Sequence, residues 1–220
     1  MTEKEKIAEA IRKLYSRGLI TLSEGNVSLR KGDGFLITPG GLRKDRVEPS
    51  HIALVSLEGK IMCGKPSSEY LLHLEIYRKR PDVNAVVHAH PPFVLSLASA
   101  EIPLKYPVLA EAVFLLGPVP ILEFSLPSSM DLAAKAGEAS RRHDALILEN
   151  HGAVTLAPGL DLALAMMETL ERTAEVLWRG LLLGKVKLLG RTQVEELLAL
   201  RSRYGLPPRD WRPEDFLWSL

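Results

Sequence analysis

Two short turns constrain this chain more than any other feature. Lys31-Gly32-Asp33-Gly34 joins the apolar runs 27–30 and 35–38, and Glu58-Gly59 joins the runs 53–57 and 60–62. Asp-Gly between such runs is a strong hairpin signal, so these four segments are expected to pair antiparallel. Further strand candidates at 84–88, 145–149 and 153–156 are separated by helix-like stretches. Strands found both in hairpins and between helices predict an α/β fold. Its central sheet is mostly antiparallel with helices on its faces, rather than a doubly wound parallel sheet.

The helices follow from apolar spacing and end signals. Ile7, Ala8, Ile11, Leu14 and Tyr15 form a stripe over residues 4–17, stopped by Gly18. Ser67-Ser68 opens a helix that runs to about residue 80 and ends before Pro81. An apolar helix follows Pro91-Pro92, and residues 129–142 predict another. Asp161 is expected to cap a long helix to residue 183, with a last one over 192–204. Residues 108–126 read as one or two strands interrupted by Gly117-Pro118. A chain of 220 residues suits one domain, 1–220. Its last segment, 205–220, carries Pro207, Pro208, Pro213, Trp211 and Trp218. So apolar a tail is expected to dock on its own domain or on a neighbouring subunit.

Charge narrows the function classes. Lys plus Arg total 28 against 27 Asp plus Glu, which leaves no basic excess of the kind that nucleic-acid binding needs. The basic pairs Arg12-Lys13, Arg43-Lys44 and Arg141-Arg142 and the run Arg78-Lys79-Arg80 are scattered, and read as solvated surface. A single cysteine, Cys63, reads as a small core or edge residue and fits a reducing compartment. The N-terminal segment lacks an apolar signal core, and no stretch approaches the roughly 18 apolar residues of a membrane span. A cytoplasmic protein that binds neither membrane nor nucleic acid is expected.

The chemistry centres on His88-Ala89-His90, at the end of the strand pattern Asn84-Ala85-Val86-Val87. Side chains alternate faces along a strand, so His88 and His90 point the same way and can share one metal ion. Catalytic zinc sites usually take three protein ligands and keep one position open. His151, beside Gly152 at the end of a second apolar strand, is a candidate third ligand. Glu69 opens the helix after Ser67-Ser68, where the helix dipole alone would favour an acid. It could equally ligate the metal or act as a base beside it. His73, four residues on, either orients that carboxylate or simply packs among Tyr70, Leu71, Leu74 and Tyr77. Small polar residues cluster at Gly25-Asn26-Val27-Ser28, Thr38-Pro39-Gly40-Gly41 and Ser67-Ser68. Such turns expose N–H groups to phosphate oxygens. No nucleotide-binding glycine motif occurs, so a small phosphoester is the better fit.

The segments SEGNVSLR (23–30), ITPGG (37–41), KPSSE (65–69), PDVNAVVHAH (81–90), ENHG (149–152) and GLDLALAMMETLERTAEV (159–176) occur in this order. In that order they resemble the class II aldolase and adducin head family. Within it the chain is most similar to aldolases of the L-fuculose 1-phosphate kind. The resemblance implies an α/β/α sandwich and one Zn²⁺ per chain held by His88, His90 and His151, with Glu69 as ligand and catalytic acid/base. It implies a phosphate pocket of Gly25, Asn26, Gly40, Gly41, Ser67 and Ser68. The implied reaction is reversible cleavage of a ketose 1-phosphate to dihydroxyacetone phosphate and an aldehyde, through an enediolate stabilised by zinc. It also implies a homotetramer with active sites between subunits and a tyrosine proton donor from the adjacent one. Tyr106 is the nearest candidate and Tyr204 a second. The chain departs from the family's usual Thr-Pro-Ser/Thr-Gly turn by placing Gly40 at the hydroxyl position. A related epimerase acting on L-ribulose 5-phosphate is the alternative, disfavoured because that enzyme has Asp at the position of Glu69. Phosphosugar dehydratases and decarboxylases share the scaffold. The non-enzymatic adducin head is more remote, since it lacks the metal histidines.

Overall fold

The computed structural model describes residues 1–204 and 206–219, so Gly205 and Leu220, the two ends of the expected tail segment, lie outside the described residues. The first hairpin forms where it is expected, joining β1 (Asn26–Lys31) to β2 (Gly34–Ile37), but its two-residue turn is Gly32-Asp33, with Gly32 in the left-handed region, and Gly34 opens the second strand. The second joins β3 (Ala53–Ser56) to β4 (Ile61–Cys63) across a turn with Gly59 at positive φ. β4 is an exposed edge strand, which places Cys63 at the edge in solvent. The inner strands β5 (Ala85–Ala89), β7 (Ala145–Leu148) and β8 (Gly152–Ala157) complete the sheet with the two-residue β6 (Ile121–Leu122). The order is β4-β3-β2-β1-β5-β8-β7-β6, and every neighbouring pair is antiparallel except β6 with β7. The expected α/β class with a mostly antiparallel sheet is what forms.

Both faces of the sheet are covered, because inner strands alternate apolar residues to each side. In β5, Ala85, Val87 and Ala89 join one core, while Val86 joins the other. The first core is closed by α1 (Glu3–Ser16), α3 (Pro92–Ser99) and α6 (Leu160–Leu182). The second is closed by α2 (Tyr70–Lys79) and α5 (Met130–Ala139), which pack on each other. The helix ends show the local chemistry. Thr2 and Glu5 form a reciprocal capping box on α1, and Ser129 caps α5 through Leu132 N–H at 3.1 Å. Two expected caps shift. Gly159, not Asp161, is the N-cap of α6, and Glu69 rather than a serine is the N-cap of α2. The last expected helix also divides, into α7 (Arg191–Leu200) and a 3₁₀ turn, Arg201–Tyr204.

The largest correction concerns residues 108–126. The expected strands are a helix, α4 (Ala110–Leu115), and the short β6. A short apolar run cannot distinguish helix from strand by periodicity. Here Ala110-Glu111-Ala112 favours helix. Val113 is buried against Val194 of α7 and Phe216 of the tail, so tertiary packing decides the outcome.

The tail lies against its own chain through one buried carboxylate. Asp144, just before β7, binds Arg80 at 2.9 Å, Arg201 at 2.9 Å and Arg209 at 2.7 Å. Arg209 also reaches Asp82 at 3.2 Å. The Arg80 and Arg209 guanidinia that bind Asp82 hold its carboxyl down at about 2. Trp211 donates to the Arg142 carbonyl at 2.8 Å, lies under the Arg201 guanidinium at 4.3 Å and seats against Gly117, where a Cβ would collide with its ring. Arg80 therefore corrects the expectation of a solvated basic surface: it is 5% exposed because Asp82 and Asp144 neutralise it. Removing one partner of a buried ion pair leaves an uncompensated charge. Asp144→Ala should thus lower the unfolding free energy by about 3–5 kcal/mol, read from urea denaturation. A loss within about 0.5 kcal/mol, ordinary for a surface site, would remove the cluster as an anchor of the tail.

Candidate metal centre and anion cleft

Strand register assembles the site. β5 lies between β1 and β8, with Asn26 opposite His88 on one side and Ala153 opposite Ala89 on the other. His90 follows the strand and is fixed by its N–H donating to the Leu19 carbonyl at 2.9 Å. His151 sits in the turn from β7 to β8, where Asn150 takes φ +51° and the His151 N–H donates to Leu148. The three imidazoles form a near-equilateral triangle, with ring centroids 4.9, 5.0 and 5.1 Å apart. Gly152 permits this closure. A Cβ there would fall 2.6 Å from the Ala89 carbonyl oxygen, 2.7 Å from His88 Cε1 and 2.9 Å from His90 Cδ2.

The donor atoms fit a metal ion. His88 Nδ1 is 3.0 Å from the Ala153 carbonyl oxygen, so Nδ1 keeps its proton and Nε2 faces the centre. His88 Nε2 and His90 Nε2 are 3.2 Å apart. Two imidazoles on a tetrahedral zinc, each bonded at about 2.0–2.1 Å, would be roughly 3.3 Å apart. Facing nitrogens at that distance repel unless a proton or a cation lies between them. His90 Nδ1 is 3.7 Å from Glu24, a partner of the kind that orients a ligating histidine. His88, His90 and His151 together could hold a metal ion, their candidate ligand atoms all lying within 4.8 Å of one another.

Glu69 closes the triangle on one side. Its Oε2 is 3.2 Å from His88 Nε2 and accepts from Asn26 Nδ2 at 2.9 Å. Its Oε1 is 3.1 Å from His151 Nε2, yet Oε1 and His151 Nδ1 are both buried without a well-formed hydrogen bond. Unsatisfied buried polar atoms at such a point call for an ion or a water. Burial works to raise the Glu69 carboxyl, but His88 and His151 beside it outweigh that and hold it below the usual carboxylate range. Burial and the His88 charge push His90 down to about 4. A neutral imidazole at neutral pH is the form a metal needs.

The three glycine and serine turns meet beside this centre. Thr38 N–H donates to the Val27 carbonyl at 3.0 Å and Ser67 N–H to the Thr38 carbonyl at 3.0 Å, while Gly40 N–H donates to the Lys65 carbonyl at 3.2 Å. They enclose a cleft of about 210 Å³ lined by Gly25, Asn26, Gly40, Gly41, Ser67 and Ser68, which also reaches Glu69, His90 and His151. Every anion-site residue expected from the sequence is thus brought to one place. Gly40 has a local reason as well: a Cβ would lie 2.9 Å from the Pro66 carbonyl oxygen.

Two expected tyrosines are not brought there. Tyr106 packs half-buried on the first core, and Tyr204 stacks on Phe114 at 5.2 Å with 67% of its surface exposed. Neither lines the cleft. Five lining residues went unrecognised in the sequence: Ser23, Glu24, Lys44, Pro127 and Ser128. Lys44 corrects the solvated-surface expectation. It is 2% exposed, its Nζ donates to the Pro39 carbonyl at 2.9 Å, and no carboxylate lies within ion-pair distance among the described residues. Burial pulls its ammonium below the usual lysine range, and the charge of Glu69 opposes that shift. Only the spacing of one turn from Gly40-Gly41 could have marked it.

Gly152→Ala should cut the affinity for a divalent ion at least tenfold while leaving the far ends of β7 and β8 paired. Titration of the purified variant with Zn²⁺, followed by calorimetry, measures this, and wild-type affinity would show that the triangle tolerates a methyl group.

Residues 5–178 match the family model described as class II aldolase and adducin N-terminal domain. The chain is 37% identical over 185 residues to an L-fuculose phosphate aldolase of Methanocaldococcus jannaschii, covering 83% of this chain and 99% of that one. It is 31% identical to a 5-deoxy-D-ribulose 1-phosphate aldolase of Bacillus thuringiensis, covering 92% and 97%. Among solved structures it superposes on L-fuculose-1-phosphate aldolase from Thermus thermophilus with a TM-score of 0.74 and 32% identity, covering 84% and 97%. With the fold, the histidine triangle and these similarities in agreement, the chain belongs to the class II aldolase and adducin N-terminal domain family, among its aldolase lyases.

Proposed function

We propose that the chain is a Zn²⁺-dependent aldolase that reversibly cleaves a ketose 1-phosphate of the L-fuculose 1-phosphate type into dihydroxyacetone phosphate and an aldehyde. The observation that carries this reading is the contact between two chemistries in one cleft: a triangle of histidines with a carboxylate, and beside it a lining of glycine and serine turns with a buried lysine. His88, His90 and His151 would hold the ion, and imidazole suits zinc. When bound, such an ion supplies Lewis-acid stabilisation of negative charge on substrate oxygens.

The chain's own residues do the rest. The turns at Gly25, Gly40-Gly41 and Ser67-Ser68 bind the phosphate and fix the sugar's position relative to the histidines. Lys44 supplies a buried positive charge at the cradle, and the incoming phosphate relieves the cost of its burial. It also offsets the hydroxyl that Gly40 does not provide. Glu69, ionised and held by Asn26, takes or returns the proton at the carbon next to the carbonyl. The reading includes a cytoplasmic homotetramer with sites between subunits, where Tyr106 of a neighbouring copy serves as proton donor. Exposed Trp178, Leu182 and Leu183 on and after α6 support such an association.

A panel of ketose 1-phosphates, assayed for dihydroxyacetone phosphate release with L-ribulose 5-phosphate epimerisation alongside, tests the reaction. A chelator should abolish turnover and borohydride with substrate should leave it intact. The reverse pair would establish a lysine imine and sink the proposal. Glu69→Gln should keep bound metal while losing about 10²–10⁴ in kcat. Lys44→Met should raise KM for the phosphorylated sugar about 10- to 100-fold, the value of a charged hydrogen bond. An unchanged KM would remove Lys44 from the phosphate site.

A further inference from the structure

Behind Glu69 a chain of buried polar groups runs away from the cleft. Asn26 Nδ2 reaches Glu69 Oε2 at 2.9 Å, and Asn26 Oδ1 meets His73 Nε2. His73 Nδ1 meets Ser28 Oγ at 2.6 Å, and Ser28 Oγ meets the Tyr77 hydroxyl at 2.8 Å. Asn26 and Ser28 lie on the face of β1 that looks onto α2, which carries His73 and Tyr77 one turn apart. All but the last contact of Tyr77, 3.4 Å to the Asn84 carbonyl, lie in the buried interior. Phe35 and the Arg30 guanidinium hold the Tyr77 ring, at 5.1 and 4.8 Å.

Donor and acceptor chemistry gives this chain one direction. The Glu69 carboxylate only accepts, so the amide nitrogen of Asn26 faces it and the amide oxygen faces His73. That oxygen only accepts, so His73 Nε2 carries the proton. His73 is 0% exposed and contacts no carboxylate, and burial in such surroundings keeps it neutral. Its Nδ1 then accepts from Ser28, and Ser28, its one proton committed, accepts from Tyr77. Without the His73 donor the Asn26 amide could turn over and present oxygen to the Glu69 carboxylate, which would repel it.

We infer that His73 is a positioning residue for Glu69: through Asn26 it fixes which way the carboxylate faces, and it takes no part in holding metal or substrate. The inference deepens the proposed aldolase reading and rests on it for its kinetic consequence, but its tautomer prediction stands apart from any activity.

The first test is long-range ¹H–¹⁵N correlation on ¹⁵N-labelled, Zn²⁺-loaded protein. It should find His73 neutral with the proton on Nε2, and an Nδ1–H tautomer would overturn the inference outright. The second test is kinetic. His73→Phe should lose about 10- to 100-fold in kcat with KM and bound metal unchanged, and His73→Gln, which restores an N–H donor, should recover part of the loss. Should His73→Phe fail to fold, Ser28→Ala, which frees the tautomer, should lower kcat in the same direction. A folded variant with wild-type kcat, or a loss wholly in KM, refutes the positioning role. Glu69→Gln run alongside separates the two failures. Full turnover there overturns the acid/base reading itself, whereas collapse there with intact turnover in the His73 and Ser28 variants overturns only the inference.

Discussion

The close approach of β8 to β5 at Gly152 is the contact on which the site depends. Ala153 pairs with Ala89 and Val154 with His88, so the turn carrying His151 is drawn over the end of β5. The carbonyl of Ala153 fixes the His88 ring, and the absent side chain at Gly152 lets three imidazoles meet within about 5 Å. The same sheet, through the pairing of β1 with β5, brings Asn26 beside His88 and so beside Glu69. Backbone ladders are stiff and their register is set by the apolar pattern, so a geometry that catalysis needs to within fractions of an ångström is held by ordinary strand pairing.

Much of this was legible in the residues. Asp33-Gly34 and Glu58-Gly59 announced the hairpins, and period-two alternation put His88 and His90 on one side. The turns expected to bind phosphate were visible as glycine and serine clusters, and they converge on one cleft. What the sequence hid depends on long-range packing. Residues 110–115 became helical because Val113 found Val194 and Phe216, contacts roughly 80 and 100 positions away. Arg80 looked like surface charge because nothing local shows that Asp144, 64 positions on, will receive it, and Lys44 because a nearby backbone carbonyl gives no sign in the sequence that the side chain turns inward. The two roles left open for His73 were separable only once Asn26 and Ser28 were seen on either side of its ring.

In the proposed phosphate site, one missing group is answered by another. A hydroxyl-bearing side chain at position 40 would press on the Pro66 carbonyl, where the Pro39–Pro66 bridge joins the two turns. The chain keeps glycine there, and the lysine one turn later lies inside rather than outside. A point charge is less particular about geometry than a hydroxyl. With the proposed phosphate bound there, such a lining would trade directional recognition for electrostatic attraction, with a correspondingly greater sensitivity to dissolved salt for the encounter that precedes binding.

β7 connects two regions that do different work. Asp144, which gathers three arginines, precedes its first residue, and the turn bearing His151 follows its last. Four strand residues span roughly 14 Å, beyond the range over which substitutions usually interact. The end of the sheet that secures the tail and the end that carries the histidine triangle are thus energetically separate modules on shared strands. Evolution could revise the substrate range at one end and heat resistance at the other, with each change keeping its effect whatever happens opposite.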